Sequence, residues 1–365
     1  MAVARVLRGT SRNVETPQRA LSRDATPNSA FFVRDHFDEP EIDPVNYRLW
    51  IGETRWFSLS DLRRLPQHRV TCVLECAGNG RNRMVPRPKG IEWGDNAVGC
   101  ATWEGPALRD VLRLVAPPKG TVEVVFQGAD SGPEGGDFRH FERSLPIDVA
   151  TGEGPILALR MNGKPLPVSH GAPVRLIVPG WYAVASVKWL MEIRYIDHPF
   201  TGYYQAKRYV WDDGSPVREV RPRGILTRPN PNVPARAGAT RLEGRAWAGA
   251  GLAGVEVQVN DGAWLPARLG RSPGIHAWVP WSLETTLPEG SHRVRVRARD
   301  SIGRTQPLDP VWNRLGYGYN TSEENHVRVD ARWPRITSAI RIRRKAPAIG
   351  QSLSSQDPDS QKGVA

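Results

Sequence analysis

Three cysteines, Cys72, Cys76 and Cys100, all lie in the first third of this 365-residue chain. They are too few and too close together for a disulfide framework. Cys72 and Cys76 stand at i and i+4, which is not the Cys-x-x-Cys spacing of zinc or thioredoxin chemistry. Cys72 falls within Val70–Leu74, an apolar run that reads as a strand, and Cys100 lies in the run AVGCATW at 97–103. Both read as small, buried, inert core residues. Cys76 differs, because it opens Cys76-Ala77-Gly78-Asn79-Gly80-Arg81 directly after the strand. Small residues and a Gly-Asn-Gly turn would hold its thiol at a loop tip. An arginine five positions on would favour the thiolate and would draw anions to it. A soft thiolate at such a mouth suits a soft or high-valent metal.

Other motifs are decoys or missing. Gly249-Ala250-Gly251-Leu252-Ala253-Gly254 matches the dinucleotide pattern GxGxxG, yet a helix must follow that pattern, and Val255–Val259 reads as a strand. No GxxxxGK[ST], HExxH or GxSxG occurs. The eight histidines are scattered from His36 to His326 without metal spacing, so zinc is not expected. The net charge of +12 suits an anionic ligand: nucleic acid, acidic lipid, phosphate or a small oxyanion. Arg293-Val294-Arg295-Val296-Arg297 has the alternation of any half-exposed strand. The basic cluster Arg341–Lys345 has no aromatic interleaving of the kind that stacks bases. Nucleic-acid binding is not expected.

The elements that must position these residues fall into two groups. Apolar residues make up 39% and charged residues 24%, and 35 glycines with 32 prolines favour short strands and turns over long helices. Residues 1–24 read as a flexible arm, and 25–222 as a domain of short strands and helices. Within it Val70–Leu74 and Val122–Phe126 read as strands and Leu108–Leu114 as a short helix. Leu157–Met161, Asn162-Gly163 and Lys164–Leu166 read as strand, tight turn and strand. The proline-rich stretch at 223–240 reads as a linker. Residues 241–340 read as an all-β sandwich, with a hairpin turn at Asn260-Asp261-Gly262, and 341–365 as a disordered tail. The opening run MAVARVLRGTSRNVETPQ has no apolar core of a signal peptide, and no uncharged apolar run of about 18 residues occurs. That predicts a cytoplasmic protein off the membrane, or a periplasmic one if the start is trimmed.

Across residues 25–335 the chain resembles the sulfite oxidase family. The resemblance rests on FFVRDHF at 31–37, LECAGNGR at 74–81, GIEW at 90–93 and FQGADS at 126–131. It continues through LALRMNGKPLPVSHGAPVRLIVPG at 157–180 and SVKWL at 186–190. In the second domain GRAWAGAG at 244–251, VNDGAWLPARL at 259–269 and DPVWN at 309–313 carry it further. It implies an α+β fold: a molybdopterin-binding domain of mixed β-sheets with short helices, then an immunoglobulin-like sandwich that pairs two chains as a homodimer.

The resemblance further implies one molybdenum per chain on a molybdopterin, with Cys76 as the metal's single protein thiolate. Arg34, Asp35, His36, Asp130, His170, Arg175, Ser186, Val187 and Lys188 match positions that hold the pterin and its phosphate. Arg34 and Arg81 match arginines of an oxyanion pocket, and Tyr209 matches the active-site tyrosine. Paired guanidinium groups suit a dianion such as sulfite. The implied reaction is oxidation of sulfite to sulfate, with two electrons leaving singly. The alternatives are reduction of another oxyanion or S-oxide, and a non-catalytic molybdopterin-binding protein. The chain departs from the pattern at Asp35, where Asn is common, at Gly80, where a second arginine is common, and at Arg208, where vertebrate members are acidic. The absence of an HPGG-type segment or CxxCH leaves no haem expected, so the electrons would pass to an external acceptor, an acidic redox protein or dioxygen.

Overall fold

Val70–Leu74 is the centre of a longer strand, Gln67–Glu75, which pairs antiparallel with Val98–Pro106 along its whole length. The structure is a computed structural model that describes residues 12–230 and 233–331. Arg160–Met161 and Lys164–Pro165 widen the pair to a four-stranded sheet. Asn162 and Gly163 between them have φ of 52° and 72°, the two left-handed residues that a two-residue hairpin turn requires. A five-stranded sheet runs Arg55–Phe57, Leu49–Ile51, Leu190–Ile196, Glu123–Glu134 and Asp137–Pro146 in order across its width. Leu108–Leu114 is a helix, and its spacing buries Leu108, Val111 and Leu112 on one face. Cys72 and Cys100 are fully buried in the two apolar clusters of this domain. Among the described residues no helix is long and apolar enough to cross a membrane.

The second domain is a sandwich. One sheet orders Arg223–Arg228, Gly238–Trp247, Val279–Leu287 and Arg268–Leu269. The other orders Ala235–Arg236, Glu324–Asp330, Gly290–Asp300, Leu252–Val259 and Leu265–Pro266. Alternation sets the faces: Val255, Val257, Val294 and Val296 point into the shared core with Leu242 and Trp281, while the intervening arginines point out. The GxGxxG run leads straight into strand Leu252–Val259.

Two expected boundaries are corrected. Within the linker expected at 223–240, Arg223–Arg228 is an edge strand paired with Gly238–Trp247. Its alternation was masked by Arg223 and Gly224, both buried, Arg223 against the first domain and Gly224 against the sandwich core. Arg223 is 3% exposed, and a Cβ on Gly224 would fall 2.9 Å from Val296 Cγ1. The described part of the arm is also anchored. Asn13–Val14 pairs with Val33–Arg34, and Ala20 and Leu21 are buried. The expected tail at 341–365 lies outside the described residues.

One buried ion pair joins the two domains. Glu75, at the end of its strand, accepts hydrogen bonds from Arg223 at 3.2 Å, Trp247 Nε1 at 2.8 Å and Asn79 Nδ2 at 2.9 Å. Arg223 also donates to Asp95 at 3.1 Å and to the Tyr319 carbonyl at 3.0 Å. Each side chain of the Glu75–Arg223 pair is 3% exposed. Removing one partner strands the other charge away from water, so Arg223→Met is expected to cost about 3–5 kcal/mol. Urea denaturation is the measurement. Adding Glu75→Gln should recover part of the loss, because it removes the stranded charge.

Candidate functional site

The strand Gln67–Glu75 delivers Cys76 into a tight turn. Its N–H donates to the Ala97 carbonyl at 2.9 Å, and its carbonyl accepts from Asn79 N at 2.9 Å. Arg81 N then donates to the Gly78 carbonyl at 3.0 Å. Gly80 takes φ of 80° and lies against Tyr319, where a Cβ would fall 2.5 Å from the ring Cδ1. A side chain has no room there. The turn is buried from Cys76 to Arg81, so the thiol lies inside the protein instead of at the expected exposed loop tip. Cys76 is 7% exposed and lines a cavity. Burial pushes its thiol up. Arg34, a hydrogen bond from Gly78 and Arg81 oppose this in that order, without winning. The arginines favour the thiolate as expected, but desolvation outweighs them, and a bound cation is what would hold the sulfur ionised.

The same cavity gathers most of the other expected residues. Arg34 lines it from the end of strand Val33–Arg34, His36 from the segment just after it, and Tyr209 from the end of the helical turn Tyr204–Arg208. His36 Nε2 and the Tyr209 hydroxyl share a hydrogen bond of 2.7 Å. The imidazole is stacked on Phe141 at 4.5 Å. Burial, then the charges of Arg34, Arg208, Lys188 and Arg143, push His36 well below its ordinary pKa, so the ring is neutral.

Asp130, His170, Arg175, Ser186 and Lys188 complete the wall. Burial raises Asp130 to about 7 against the pull of Lys188. His170 shares a 3.0 Å hydrogen bond with the Asn28 carbonyl, and burial lowers it to about 4. Arg175 donates to the carbonyls of His170 and Ser186, both at 2.9 Å, its guanidinium lies 5.0 Å from the Trp103 ring centre, and burial lowers it to about 9. Lys188 donates to the Ser169 carbonyl at 3.0 Å and to Asp35.

Three expected residues stand behind the cavity instead of lining it. Asp35 is 1% exposed; its side chain pairs with Lys188 and positions that ammonium, and its backbone carbonyl accepts from the Arg34 guanidinium. Val187 is fully buried in the core, and its carbonyl accepts from Leu176 N at 2.9 Å. Arg81 is turned away into space that Gly78, Gly90 and Gly316 leave open. It donates to the Ile91 carbonyl at 2.9 Å and lies 5.2 Å from the Tyr317 ring centre. It acts on Cys76 as a nearby charge. Two residues were missed. Phe141 sits in a strand with no distinguishing motif. Tyr317, stacked on Tyr209 at 5.0 Å, comes from more than a hundred residues away.

The unsatisfied groups test what the cavity could hold. Asp130 Oδ1 and Arg175 Nε are buried without a hydrogen-bond partner in the protein, as is Asp35 Oδ2. Such atoms are costly unless a ligand satisfies them. An acceptor and a donor beside Lys188, His170 and a cysteine fit an amide-edged pterin with an anionic tail and a thiolate-bound metal. The comparisons agree. The family description "Oxidoreductase molybdopterin binding domain" matches residues 36–204, and "Mo-co oxidoreductase dimerisation domain" matches 217–329. Sulfite oxidase of Arabidopsis thaliana is 30% identical over 357 residues, covering 85% of this chain and 90% of its own. The chain belongs to the sulfite oxidase family.

Mitochondrial sulfite oxidase of Macaca fascicularis is 34% identical over 86% of this chain, and the chain spans 64% of that protein's length. The sulfane dehydrogenase SoxCD of Paracoccus pantotrophus superposes with a TM-score of 0.77, at 24% identity and 88% coverage of each chain. That likeness shows the fold, which is the two-part α+β architecture expected. Membership of the sulfite oxidase family supports a molybdenum–molybdopterin cofactor for this chain.

Asp130 gives the cofactor-free protein a testable pH dependence. Its folded pKa of about 7 lies above the unfolded value, so the folded state binds the extra proton. Stability from this group is therefore present below about pH 4, falls as pH rises to about 7, and is flat beyond. Asp130→Asn removes that penalty. The variant should gain on wild type by a difference that grows between pH 5 and 8, on the order of 4 kcal/mol at most. Chemical denaturation at the two pH values measures it.

Proposed function

We propose that this protein oxidises sulfite to sulfate at a molybdenum centre held by Cys76. The observation that carries the reading is the placement of Cys76 on one cavity with Asp130 Oδ1 and Arg175 Nε, buried groups that the protein leaves unpaired. Asp130 would take the pterin's N–H edges, and Arg175, His170 and Lys188 its phosphate. Ser186 Oγ accepts from Val178 N at 3.0 Å and fixes the backbone carbonyl that in turn holds Arg175. When bound, the molybdenum centre supplies two-electron oxygen-atom chemistry. This chain's residues bind and orient the substrate.

Arg34 presents its guanidinium to the cavity beside Cys76 and would hold one face of the sulfite dianion. With its Nε2 protonated, the neutral His36 would donate to the Tyr209 oxygen and leave the Tyr209 O–H as a donor for the substrate's oxygens without adding charge. Phe31, Phe32 and Phe141 line the remaining wall and limit water. Atoms balance as sulfite plus water giving sulfate, two protons and two electrons. The electrons would pass to an external one-electron acceptor of acidic surface or to dioxygen. Two chains would pair through the sandwich domain, and a solution mass of one chain would overturn that pairing.

Elemental analysis of purified protein should find molybdenum in wild type and little in Cys76→Ser. Loaded wild type should reduce two ferricyanides for each sulfite. A loaded protein that bleaches none overturns the oxidase reading and favours a reductase or a carrier. Arg34→Gln removes charge-assisted hydrogen bonds worth about 1.5–3 kcal/mol, so KM for sulfite should rise about 10- to 100-fold. Molybdenum content is measured in the same samples, so that the comparison is made per loaded site.

A further inference from the structure

Cys76 is connected to a second surface that the proposed reaction does not use. The carbonyl of Ala77, the next residue, accepts a hydrogen bond from Gly318 N at 2.7 Å. Gly318 has φ of 63° and lies so close to Trp211 that a Cβ would fall 2.6 Å from the indole Cη2. A continuous route therefore runs from the Cys76 sulfur along the Ala77 backbone, across one short hydrogen bond, through Gly318 and into the indole by direct contact. A parallel branch starts at the cavity wall. The Tyr209 ring stacks on Tyr317 at 5.0 Å and 23°, and Tyr317 precedes Gly318 in the chain. Electron tunnelling decays more slowly through covalent and hydrogen bonds than across open gaps, so this connectivity favours transfer towards Trp211.

Trp211 lines a solvent-facing groove between the two domains, together with Arg218, Arg221, Arg304 and Val311. Arg221 stacks on Trp211 at 4.2 Å, donates to the Gly318 carbonyl at 3.2 Å and, among the described residues, has no carboxylate partner. Arg218 is 3.8 Å from Glu123 and keeps 40% of its side chain exposed. Arg304 is engaged by Glu219 at 2.8 Å and Asp300 at 2.6 Å. Arg218 and Arg304 are thus offset by carboxylates, and the uncompensated positive charge of the lining is that of Arg221, with Val311 exposed nearby. This is the charge pattern that attracts an anionic surface.

We propose that this groove is where a one-electron acceptor with an anionic surface docks, and that Gly318 and Trp211 carry electrons to it from the Cys76 centre. The inference rests on the sulfite-oxidising reading. For each sulfite converted with one water to sulfate and two protons, two electrons leave singly and reduce two acceptor molecules.

The tests use the loaded full-length protein. Hexacyanocobaltate(III), a redox-inert trianion, is titrated by calorimetry into wild type, Trp211→Leu and the double variant Arg218→Gln/Arg221→Gln. Reoxidation of the sulfite-reduced protein is then followed by stopped flow, with ferricyanide as anionic acceptor and tris(phenanthroline)cobalt(III) as cationic acceptor. The double variant should bind hexacyanocobaltate about fivefold more weakly and lose a similar factor in ferricyanide reoxidation at low salt, with no loss towards the cation. Trp211→Leu should keep binding within about twofold while slowing ferricyanide reoxidation about tenfold. Reduction by sulfite without acceptor should be unchanged in all three proteins. Unaltered binding in the double variant, or unaltered reoxidation in Trp211→Leu, overturns the groove. Failure of sulfite to reduce wild type overturns the functional reading instead.

Discussion

The geometry of the site depends on one buried carboxylate. Glu75 is the residue before Cys76, and its two oxygens take donors from three directions: Asn79 within the turn, and Arg223 and Trp247 from the second domain. Asn79 completes the frame, since its Oδ1 accepts from Ala97 N at 2.9 Å. The start and end of the cysteine turn are thereby tied to the adjacent strand and to the neighbouring domain at once. A buried carboxylate is tolerable only when so fully partnered. The cost of disrupting any member keeps the thiol in a fixed place.

Around that fixed sulfur the cavity carries an excess of positive charge. Arg34, Arg175 and Lys188 face it, and Lys188 is matched inside the protein by Asp35. In this field neither histidine holds a proton readily, and both His36 and His170 are pushed down by burial and neighbouring cations. Their neutral rings can orient a partner without repelling the surrounding arginines. Asp130 has the opposite problem, a carboxyl buried without a partner for Oδ1. The pocket is arranged for an anionic, amide-rich occupant, and part of its cost is borne by the empty protein.

Much of this could be read from residue order, and the exceptions have physical causes. Leu108–Leu114 and the Val294/Val296 strand were legible because periodicity reports which face is buried. The strand Arg223–Arg228 was hidden because a buried arginine and a glycine broke its apolar pattern, and nearby prolines suggested a linker. The motif containing Cys76 was legible as a turn, but its depth was not, since Tyr319 and the Leu315–Gly318 loop that cover it come from the far end of the chain. Arg81 was expected at the substrate. Whether a guanidinium turns in or out depends on the vacancies left by Gly90 and Gly316, which no local pattern reports.

That last case shows what the sandwich domain contributes beyond its own core. Asn313 braces its loop by donating to the Tyr317 carbonyl at 2.7 Å and accepting from Tyr317 N at 2.9 Å. From that brace, Gly316 meets Arg81, Tyr317 meets Tyr209, Gly318 meets Ala77 and Tyr319 meets Gly80. Four successive residues of the second domain thus touch four residues at or near the cysteine turn. Packed interfaces of this kind transmit displacement, because their close contacts leave no slack. A domain that served only to pair chains would not need to seat its loop against the cysteine turn. The contacts make the sandwich a support behind that turn.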